Sequence, residues 1–550
     1  MRAALIATIR EAPADDAPRL VAADWFEEQG GQANAARAEF IRTQIERANL
    51  PPDDIRQSEL QAHELRLLKR WAPVWCGCHF VFKKVRFRRG FIEYVHLHLQ
   101  HFLHHRRQML ALEPVRDIRL TGWFRAADDL VRRVARCKEW QYIETLRIHH
   151  QGPHHDPRSN LILLLESPHL TRLRALHGTR VQFDADARRR FERLPILCQV
   201  RELVFPNLDI LMLQPGEWFS DGGATLANQW KELKSLTLPY YLRTDLLRRL
   251  TEMPFWDRLT AIALRLSGDQ RTTETFSILR DRLPSELQKL RLSAASSPDD
   301  YSAAASFFGR LAQAPLQRLT LHSIPIPVEA LDQLLDATNR WDLRELSLSG
   351  GGEMTEDHAR IIAGSPGVKK LHSLDLSGNW NFDGAAARTL FSSEHLRSLV
   401  HLNLSNTRVG STGAKALAVA PSWDRLRSFD LSGAAVDREG LRTLLASTNL
   451  TGLVQLHVGN SCYDEDSVQL DISPDLAAEM MRLPHLATLC LHVRHCDVWI
   501  EQLLSRSDRL AWVSIDREDE DDIQTNRAKR APERCPPVDD AVALFDCNLW

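Results

Sequence analysis

The sequence repeats a short apolar pattern at intervals of about 28 residues, and this period limits the possible folds more than any other feature. The pattern is apolar-x-x-apolar-x-apolar. It begins at Val115, Ile143, Leu170, Val200, Leu233, Leu259, Leu287, Leu316, Leu343, Leu371, Leu399, Leu426, Leu453, Leu486 and Leu510. Each block predicts a short strand whose fourth and sixth residues point to one side, because strand side chains alternate.

The residues between blocks predict a helix in each period, as in the alanine-rich stretch 413–418. One strand and one helix cannot bury an apolar face alone, so the units must stack into a parallel sheet backed by helices. Five tryptophans recur just before blocks, at Trp140, Trp230, Trp256, Trp341 and Trp423. Their constant place in the period predicts a structural position between helix and strand.

Two stretches carry a family resemblance. They are residues 371–379, LHSLDLSGN, and residues 399–417, LVHLNLSNTRVGSTGAKAL. Both resemble leucine-rich repeats of the ribonuclease-inhibitor-like type, and the resemblance extends over roughly residues 110–517. It implies an α/β fold, a horseshoe-shaped solenoid with parallel strands on the concave face and helices on the convex face. The usual Asn after the strand is present as Asn379 but is replaced by Thr407 and Ala434 in later repeats.

The first 50 residues do not follow the repeat and have the apolar spacing of short helices. Residues 15–30, DDAPRLVAADWFEEQG, and 37–44, RAEFIRTQ, resemble the bacterial repeat-companion domain. That resemblance implies an architecture but no established activity. We therefore predict a helical repeat-companion domain over 1–50 and an adaptor of one helix and a β-hairpin over 51–110, which caps the solenoid. The solenoid follows over 111–517, with about 15 units, and 518–550 form a charged linker and C-terminal cap.

The net charge, the cysteines and the lengths of the apolar runs each make some classes of function less favoured. The net charge is −2, from 70 basic and 72 acidic residues, which disfavours a uniformly basic nucleic-acid binder. The nine cysteines are scattered and odd in number, so a disulfide framework is not expected, and we predict a cytoplasmic protein. No window holds 18 consecutive apolar residues, and we expect no membrane partner.

Clusters of histidine and cysteine are the only metal-site candidates. Cys76, Cys78 and His79 lie together, and His96 and His98 follow on the hairpin. A zinc site usually has two spaced pairs of ligands, and no second cysteine pair lies nearby. Two further clusters lie within 149–155 and 490–496. We predict no metal and no cofactor, but a metal-dependent enzyme at the adaptor remains an open alternative. No nucleophile elbow or phosphate-binding loop is present, so no enzymatic activity is predicted.

The strand positions between the core residues predict a partner-binding surface on the concave face. The candidate residues are Arg119, Arg147, His149, Arg172, Arg174, Arg265, Lys289, Arg291, Arg318, His322, Asp375, His401, Asn403 and Asp430. The earlier repeats are basic here, and the later repeats are mildly acidic and rich in hydroxyls. We predict a non-enzymatic scaffold that binds a protein with an acidic patch.

Two points stay open for this surface. Nucleic acid is an alternative partner, because basic and aromatic residues alternate in the hairpin over 82–91. The register of the early repeats is also open, since a slip by one residue moves every side chain to the other face.

Overall fold

The computed structural model describes residues 1–76, 82–122, 126–149, 160–179, 190–191, 194–204, 230–266, 272–294, 302–336, 342–420, 423–459, 470, 472–493, 504, 507 and 509–517. The chain divides into two compact units. Unit 1 comprises Met1–Asn49, Trp71–Ser267 and Arg282–Leu287. Unit 2 comprises Leu50–Arg70, Gly268–Asp281 and Gln288–Trp550. No helix of the described ranges is both long and apolar enough to cross a lipid bilayer.

Three helices begin unit 1, namely α1 (Arg2–Glu11), α2 (Ala17–Glu28) and α3 (Gln32–Asn49). Pro18 lies in the first turn of α2, where its missing N–H costs no hydrogen bond. Gly30 and Gly31 follow α2 with φ angles of 70° and 83°, the left-handed conformation that glycine adopts without strain. The helices share a core that includes Ile9, Phe26 and Ile41. Helix α4 (Arg56–Cys76) follows and has residues in both units.

A hairpin leads into the parallel sheet of unit 1. Strands β1 (Phe82–Arg88) and β2 (Phe91–His98) pair antiparallel around Arg89 and Gly90, which both have positive φ angles. Strand β2 then pairs parallel with β3 (Asp117–Thr121), so the second arm of the predicted hairpin is the first strand of the repeat array. The sheet continues in chain order through β4 (Thr145–His149), β5 (Ala175–Thr179), β6 (Glu202–Val204), β7 (Ser235–Leu242) and β8 (Ala261–Leu266). The helices between them are α5 (Leu99–Leu112), α6 (Asp128–Ala135), α7 (Asn160–Leu165) and α8 (Thr244–Thr251).

Unit 2 has the same alternation of parallel strands and helices. Its strands are β9 (Lys289–Ala294), β10 (Arg318–His322), β11 (Glu345–Ser349), β12 (Ser373–Asp375), β13 (His401–Asn403), β14 (Ser428–Ser432), β15 (Gln455–Gly459), β16 (Thr488–Val493) and β17 (Trp512–Arg517). Its helices are α9 (Thr272–Asp281), α10 (Ser302–Leu311), α11 (Val328–Leu335), α12 (Glu356–Gly364), α13 (Gly384–Phe391), α14 (Gly410–Val419), α15 (Arg438–Leu445) and α16 (Pro474–Met480). Each strand pairs in parallel with the next along the chain. The predicted α/β solenoid of stacked strand–helix units is confirmed.

The core of each repeat has the composition that the period predicts. Leu374 and Leu376, the fourth and sixth residues of one block, are fully buried. Asn379 is also fully buried, and its side-chain amide donates to the carbonyls of Leu348 and Leu376, both at 2.8 Å. In the next repeat the Thr407 hydroxyl donates to the Leu404 carbonyl at 2.6 Å. Asn and Thr thus bond the backbone at the same place, although the residue type differs.

The tryptophan position predicted between helix and strand is confirmed for the four tryptophans that the structure describes. Trp140, Trp230, Trp256 and Trp423 are all at most 3% exposed. The indole N–H of Trp140 donates to the Val134 carbonyl at 2.8 Å, so the buried donor is satisfied. Trp341 lies outside the described residues, as do residues 518–550.

The first part of α4 packs against the late repeats of unit 2. Ala62 forms a small buried cluster with Val454 and Ala487. Arg427 donates to the carbonyl of Pro52 at 2.7 Å, and Lys69 donates to that of Leu510 at 2.6 Å. The second residues of three late blocks, Val454, Ala487 and Ala511, are small or apolar and receive the helix, a feature that the strand pattern does not encode.

Candidate functional site

Alternate strand residues point away from the leucine core in each unit, and we call these residues the polar face of that unit. In unit 1 the residues at one register position of five successive strands are lysine, arginine or histidine. Its residues are Lys84, His96, Arg119, Arg147 and His177, which pair directly with one another across β1 to β5. We call them the basic row. At a strand spacing of about 4.8 Å the row is about 19 Å long.

Arg147 at the centre of the basic row is held by neighbouring strands. Its guanidinium donates to both carboxylate oxygens of Asp117, at 2.8 and 3.0 Å, and contacts His177 Nδ1 at 3.0 Å. Burial lowers the pKa of Arg147, but the hydrogen-bonded Asp117 carboxylate outweighs burial and raises it. His177 in turn lies 3.0 Å from Glu202. The Asp117 carboxylate therefore neutralises part of the basic row.

Three guanidinium groups surround one tyrosine beside the row. The Cζ atoms of Arg86 and Arg147 lie 5.1 and 5.9 Å from the centre of the Tyr94 ring. Burial raises the pKa of the Tyr94 phenol, and Arg119, Arg86 and Arg147 oppose that rise. Asp117 offsets one of the three positive charges. Arg119 makes no ion pair with any residue that the structure describes. The surface here thus keeps a net positive charge.

The polar face of unit 2 is more buried and carries fewer exposed cations. Arg318 pairs with Glu345 at 2.9 Å. Burial, only partly offset by Arg318, raises the pKa of Glu345 to about 7. The Ser347 hydroxyl donates to Asp375 at 3.0 Å, and burial raises the pKa of Asp375. The arrangement consists mainly of short, buried polar side chains bonded to one another.

Three predicted site residues of unit 2 also shape their own loops. One side-chain oxygen of Asp375, Asn403 and Asp430 accepts a hydrogen bond from the backbone N–H two residues further on, at 3.0, 2.9 and 2.9 Å. This local turn is typical of Asp and Asn. These residues therefore have a structural role at the end of each strand, and part of their acceptor capacity is used there.

Most predicted partner-binding residues occupy polar-face positions. These are Arg119, Arg147, Arg265, Lys289, Arg291, Arg318, His322, Asp375, His401, Asn403 and Asp430. His149 is the last residue of β4, and its side chain lies outside the described part. The polar face carries two further residues that sequence analysis did not select, His457 and Cys490, although both are the fifth residue of their blocks.

The strand placement of Arg172 and Arg174 is wrong. Strand β5 begins at Ala175, which pairs with Thr145, so both arginines precede the strand and lie exposed outside it. The block begins at Leu173 rather than Leu170, because Gly178 occupies a position where the pattern requires an apolar residue. Leu170, Leu173 and Ala175 also fit the apolar pattern, but by coincidence, and the block that they suggest begins three residues before the observed one. The polar-face residue of this strand is His177.

The described residues of the candidate histidine and cysteine cluster make other contacts. The ring of His98 accepts a hydrogen bond from the Gln100 N–H at 3.3 Å and so caps helix α5. Cys76, at the end of α4, is a free thiol, while Cys78 and His79 lie outside the described residues. Within the described ranges no three His, Cys, Asp or Glu side chains are grouped so that they could hold a metal ion. His96 belongs to the basic row.

Known proteins resemble the chain in its repeats. A family model for the leucine-rich repeat matches residues 395–418. Among solved structures, the yeast complex of Rad7 and Elc1 aligns at 17% identity over 61% of this chain and 78% of that one, with a TM-score of 0.42. An internalin from Listeria monocytogenes aligns at 16% identity over 64% and 81%, with a TM-score of 0.30. These likenesses are too distant to indicate a partner or an activity.

A search of the curated proteins found no sequence that matches the chain. The matched repeat lies in unit 2 and does not include residues 1–50, so the repeat-companion resemblance stays a prediction. Residues 395–418 span β13 and all but the last residue of helix α14, and the units on either side have the same strand–helix order. The chain therefore contains leucine-rich repeats, stacked in an α/β solenoid.

Proposed function

We propose that the chain is a non-enzymatic protein-binding scaffold and that acidic side chains of its partner bind the basic row of unit 1. The observation that carries this proposal is the row itself. Five basic or imidazole side chains occupy one register position on five adjacent strands. A stacked solenoid presents such a row on a rigid surface, and focused charge both speeds and selects association.

The pairing of the arginines in and beside the row favours a protein ligand. Asp117 fixes the Arg147 guanidinium, while Arg119 in the row and Arg86 beside it have no described carboxylate partner. Arginine is among the residues most often found at energetic centres of protein interfaces. We infer that Arg119 and Arg86 contact the partner directly and that Arg147 keeps the surface ordered.

A nucleic-acid partner is less well supported, because three aromatic side chains of the hairpin that the structure describes pack into the core. Phe91 is fully buried. Phe87 packs against Phe40 and Trp75, with ring centres 5.4 and 6.1 Å apart. Tyr94 is only 6% exposed. Bases stack on exposed rings in single-stranded nucleic-acid binding, and none of these three rings is presented in that way.

The cellular setting and the N-terminal module remain proposals. Cys76, Cys137, Cys198 and Cys490 are free thiols, which suits a reducing cytoplasm. We infer that residues 1–50 act as a repeat-companion module and that 518–550 follow the solenoid as a linker and cap.

The proposal is tested with an acidic peptide and an oligonucleotide of equal charge. The triple variant Lys84→Glu, Arg86→Glu, Arg119→Glu should weaken binding of a fluorescent polyglutamate peptide by at least about tenfold, since each lost contact costs affinity. Fluorescence anisotropy at several salt concentrations measures the effect. The wild-type chain should bind the peptide more tightly than it binds single-stranded oligothymidylate.

A matched control keeps the same change in net charge. Arg132, Arg133 and Arg136 are exposed at helix α6 of unit 1. Changing these three to Glu should leave peptide binding within about twofold of wild type, since the basic row is unaltered. Equal losses in both triple variants would show non-specific charge attraction and contradict the proposal. Tighter binding of the oligonucleotide would show that nucleic acid is the ligand.

A further inference from the structure

Three side chains of different chemistry lie side by side on the polar face of unit 2. Asp430, His457 and Cys490 occupy the same register position of β14, β15 and β16. The Asp430 carboxylate lies 3.3 Å from His457 Nδ1. Cys490 is the register partner of His457 on the neighbouring strand, so its thiol lies beside the same imidazole. The order of the groups is carboxylate, imidazole, thiol, which is the order in which a nucleophile is activated and its base oriented.

The neighbouring groups fix the orientation of the imidazole. Asp430 Oδ1 accepts from the Ser432 N–H at 2.9 Å, which holds the carboxylate and leaves its other oxygen toward His457. The amide nitrogen of Gln455 lies 2.6 Å from His457 Nε2, and its amide oxygen is buried without a hydrogen bond. Turning the Gln455 amide over would place that oxygen at Nε2 and satisfy both groups, provided the imidazole carries two protons.

The charge state of the imidazole agrees with this geometry. Burial lowers the pKa of His457, but the Asp430 carboxylate and then Cys490 outweigh burial and raise it to about 10. The imidazole is therefore protonated at neutral pH. A cysteine beside a protonated imidazole is favoured as the thiolate, which is the reactive form.

We propose that Cys490 is a reactive thiolate, held by the His457 imidazolium and oriented by Asp430, and that it adds to small α,β-unsaturated carbonyl compounds. The Cys490 Sγ lone pair forms a bond to the β-carbon, and the C=C electron pair shifts to give the enolate. A water molecule supplies the proton that the α-carbon takes up and becomes hydroxide. The product is a thioether, with the thiol added across the double bond, so no leaving group or oxidant is required. The compound must be small, because Cys490 is only 5% exposed.

Few other titratable groups face this site from the neighbouring strands. Asp375 lies on β12, and burial followed by the Asp430 charge raises its pKa. Cys490 is paired on its other side with Ser514 of β17. His492 and Asp516 hold the next position on the same face, and their side chains lie outside the described part. Within the described residues, Asp430 is thus the carboxylate in direct contact with the imidazole.

The test is the pH dependence of labelling by N-ethylmaleimide in the reduced, full-length chain. Peptide mapping by mass spectrometry follows Cys490, and N-acetylcysteine in the same solution is the reference thiol. Between about pH 8 and about pH 6 the rate for N-acetylcysteine should fall about 100-fold, since an ordinary thiol loses its thiolate about tenfold per pH unit. The rate at Cys490 should change by no more than about threefold over that range. A Cys490 profile parallel to that of N-acetylcysteine, or no labelling of Cys490 at any pH, would overturn the proposal.

Variants identify the role of the imidazole. His457→Gln should give Cys490 the steep pH profile of N-acetylcysteine, while His322→Gln should leave the Cys490 profile unchanged. His322 is a matched control because it lies on the same polar face and its paired neighbours are Ser293 and Ser349. Circular dichroism establishes that each variant is folded before labelling. If the Cys490 labelling rate in folded His457→Gln remained independent of pH, the proposal would also be contradicted.

Discussion

Arg37 is a charged side chain in the interior of unit 1, where charge is costly unless it is paired. It is 2% exposed and donates to both carboxylate oxygens of Glu113, each at 3.1 Å. The rings of Phe87 and Trp75 lie 5.0 and 5.2 Å from its guanidinium. Glu113 also accepts from the Ile92 N–H at 2.8 Å. One arginine thus joins helix α3 to the first strands of the sheet.

Removing this arginine should destabilise unit 1 strongly. Arg37→Ala should lower the free energy of unfolding by about 3–5 kcal/mol, because it leaves the buried Glu113 carboxylate without its main partner. Urea unfolding followed by tryptophan fluorescence measures the loss. Arg42 on the same helix forms exposed ion pairs with Asp24 and Glu27, so Arg42→Ala should cost no more than about 1 kcal/mol. Similar losses in the two variants would show that burial does not determine the effect.

At the scale of elements, the segment 56–70 of helix α4 shows how a helix can be foreseen while its contacts are not. Apolar spacing predicts the helix itself, from about Ile55 to Trp71, and the observed helix is Arg56–Cys76. Its contacts lie about 370 to 440 residues away along the chain, with Arg427, Val454 and Leu510. Helical periodicity identifies the apolar stripe, but only tertiary contacts identify what covers it.

A charge placed on this stripe should detach the segment. Ala62 is fully buried against Val454 and Ala487, so Ala62→Glu would bury a carboxylate without a partner. We expect a loss of at least about 2 kcal/mol and faster hydrogen exchange over 56–70. Glu59→Gln, at an exposed position of the same helix, is the control and should leave exchange unchanged. Unaltered exchange in Ala62→Glu would contradict the observed packing.

At the scale of the whole molecule, a nearly neutral chain has an uneven distribution of charge. Its net charge of −2 includes the basic row of unit 1 and the buried carboxylates of unit 2. Buried carboxylates make stability depend on pH, because the folded and unfolded chains bind protons differently. Glu345 is the clearest case, since its folded pKa of about 7 lies above the ordinary value of 4.5.

The sign of this dependence follows from the direction of the shift. Between pH 4.5 and 7 folded Glu345 keeps a proton that the unfolded chain has lost, so stability falls as pH rises through this window. Glu345→Gln removes the titration. Relative to wild type it should gain up to about 3 kcal/mol between pH 5 and pH 8, measured by urea unfolding at each pH. If the difference in free energy of unfolding between wild type and Glu345→Gln did not change with pH, the raised pKa of Glu345 would be contradicted.

The repeat, the strand–helix alternation and most polar-face positions follow from the sequence alone. These features are local, because strand side chains alternate and helices follow a period of 3.6 residues, so a single repeat contains the information. Arg119, Lys289 and Asp430 were placed correctly on this basis. Arg172 and Arg174 were not, because Gly178 interrupts the local pattern of their repeat.

Which of these side chains act together depends on the tertiary structure. Asp117 neutralises Arg147, and His457 lies between Asp430 and Cys490, because the strands of successive repeats pair in one register. Arg37 on helix α3 reaches Glu113, 76 residues further along the chain. Ion pairing, burial and pKa depend on neighbours within a few ångströms, and those neighbours come from other repeats. A repeat sequence specifies which side chains reach a face, whereas the stacking of repeats specifies the chemistry of that face.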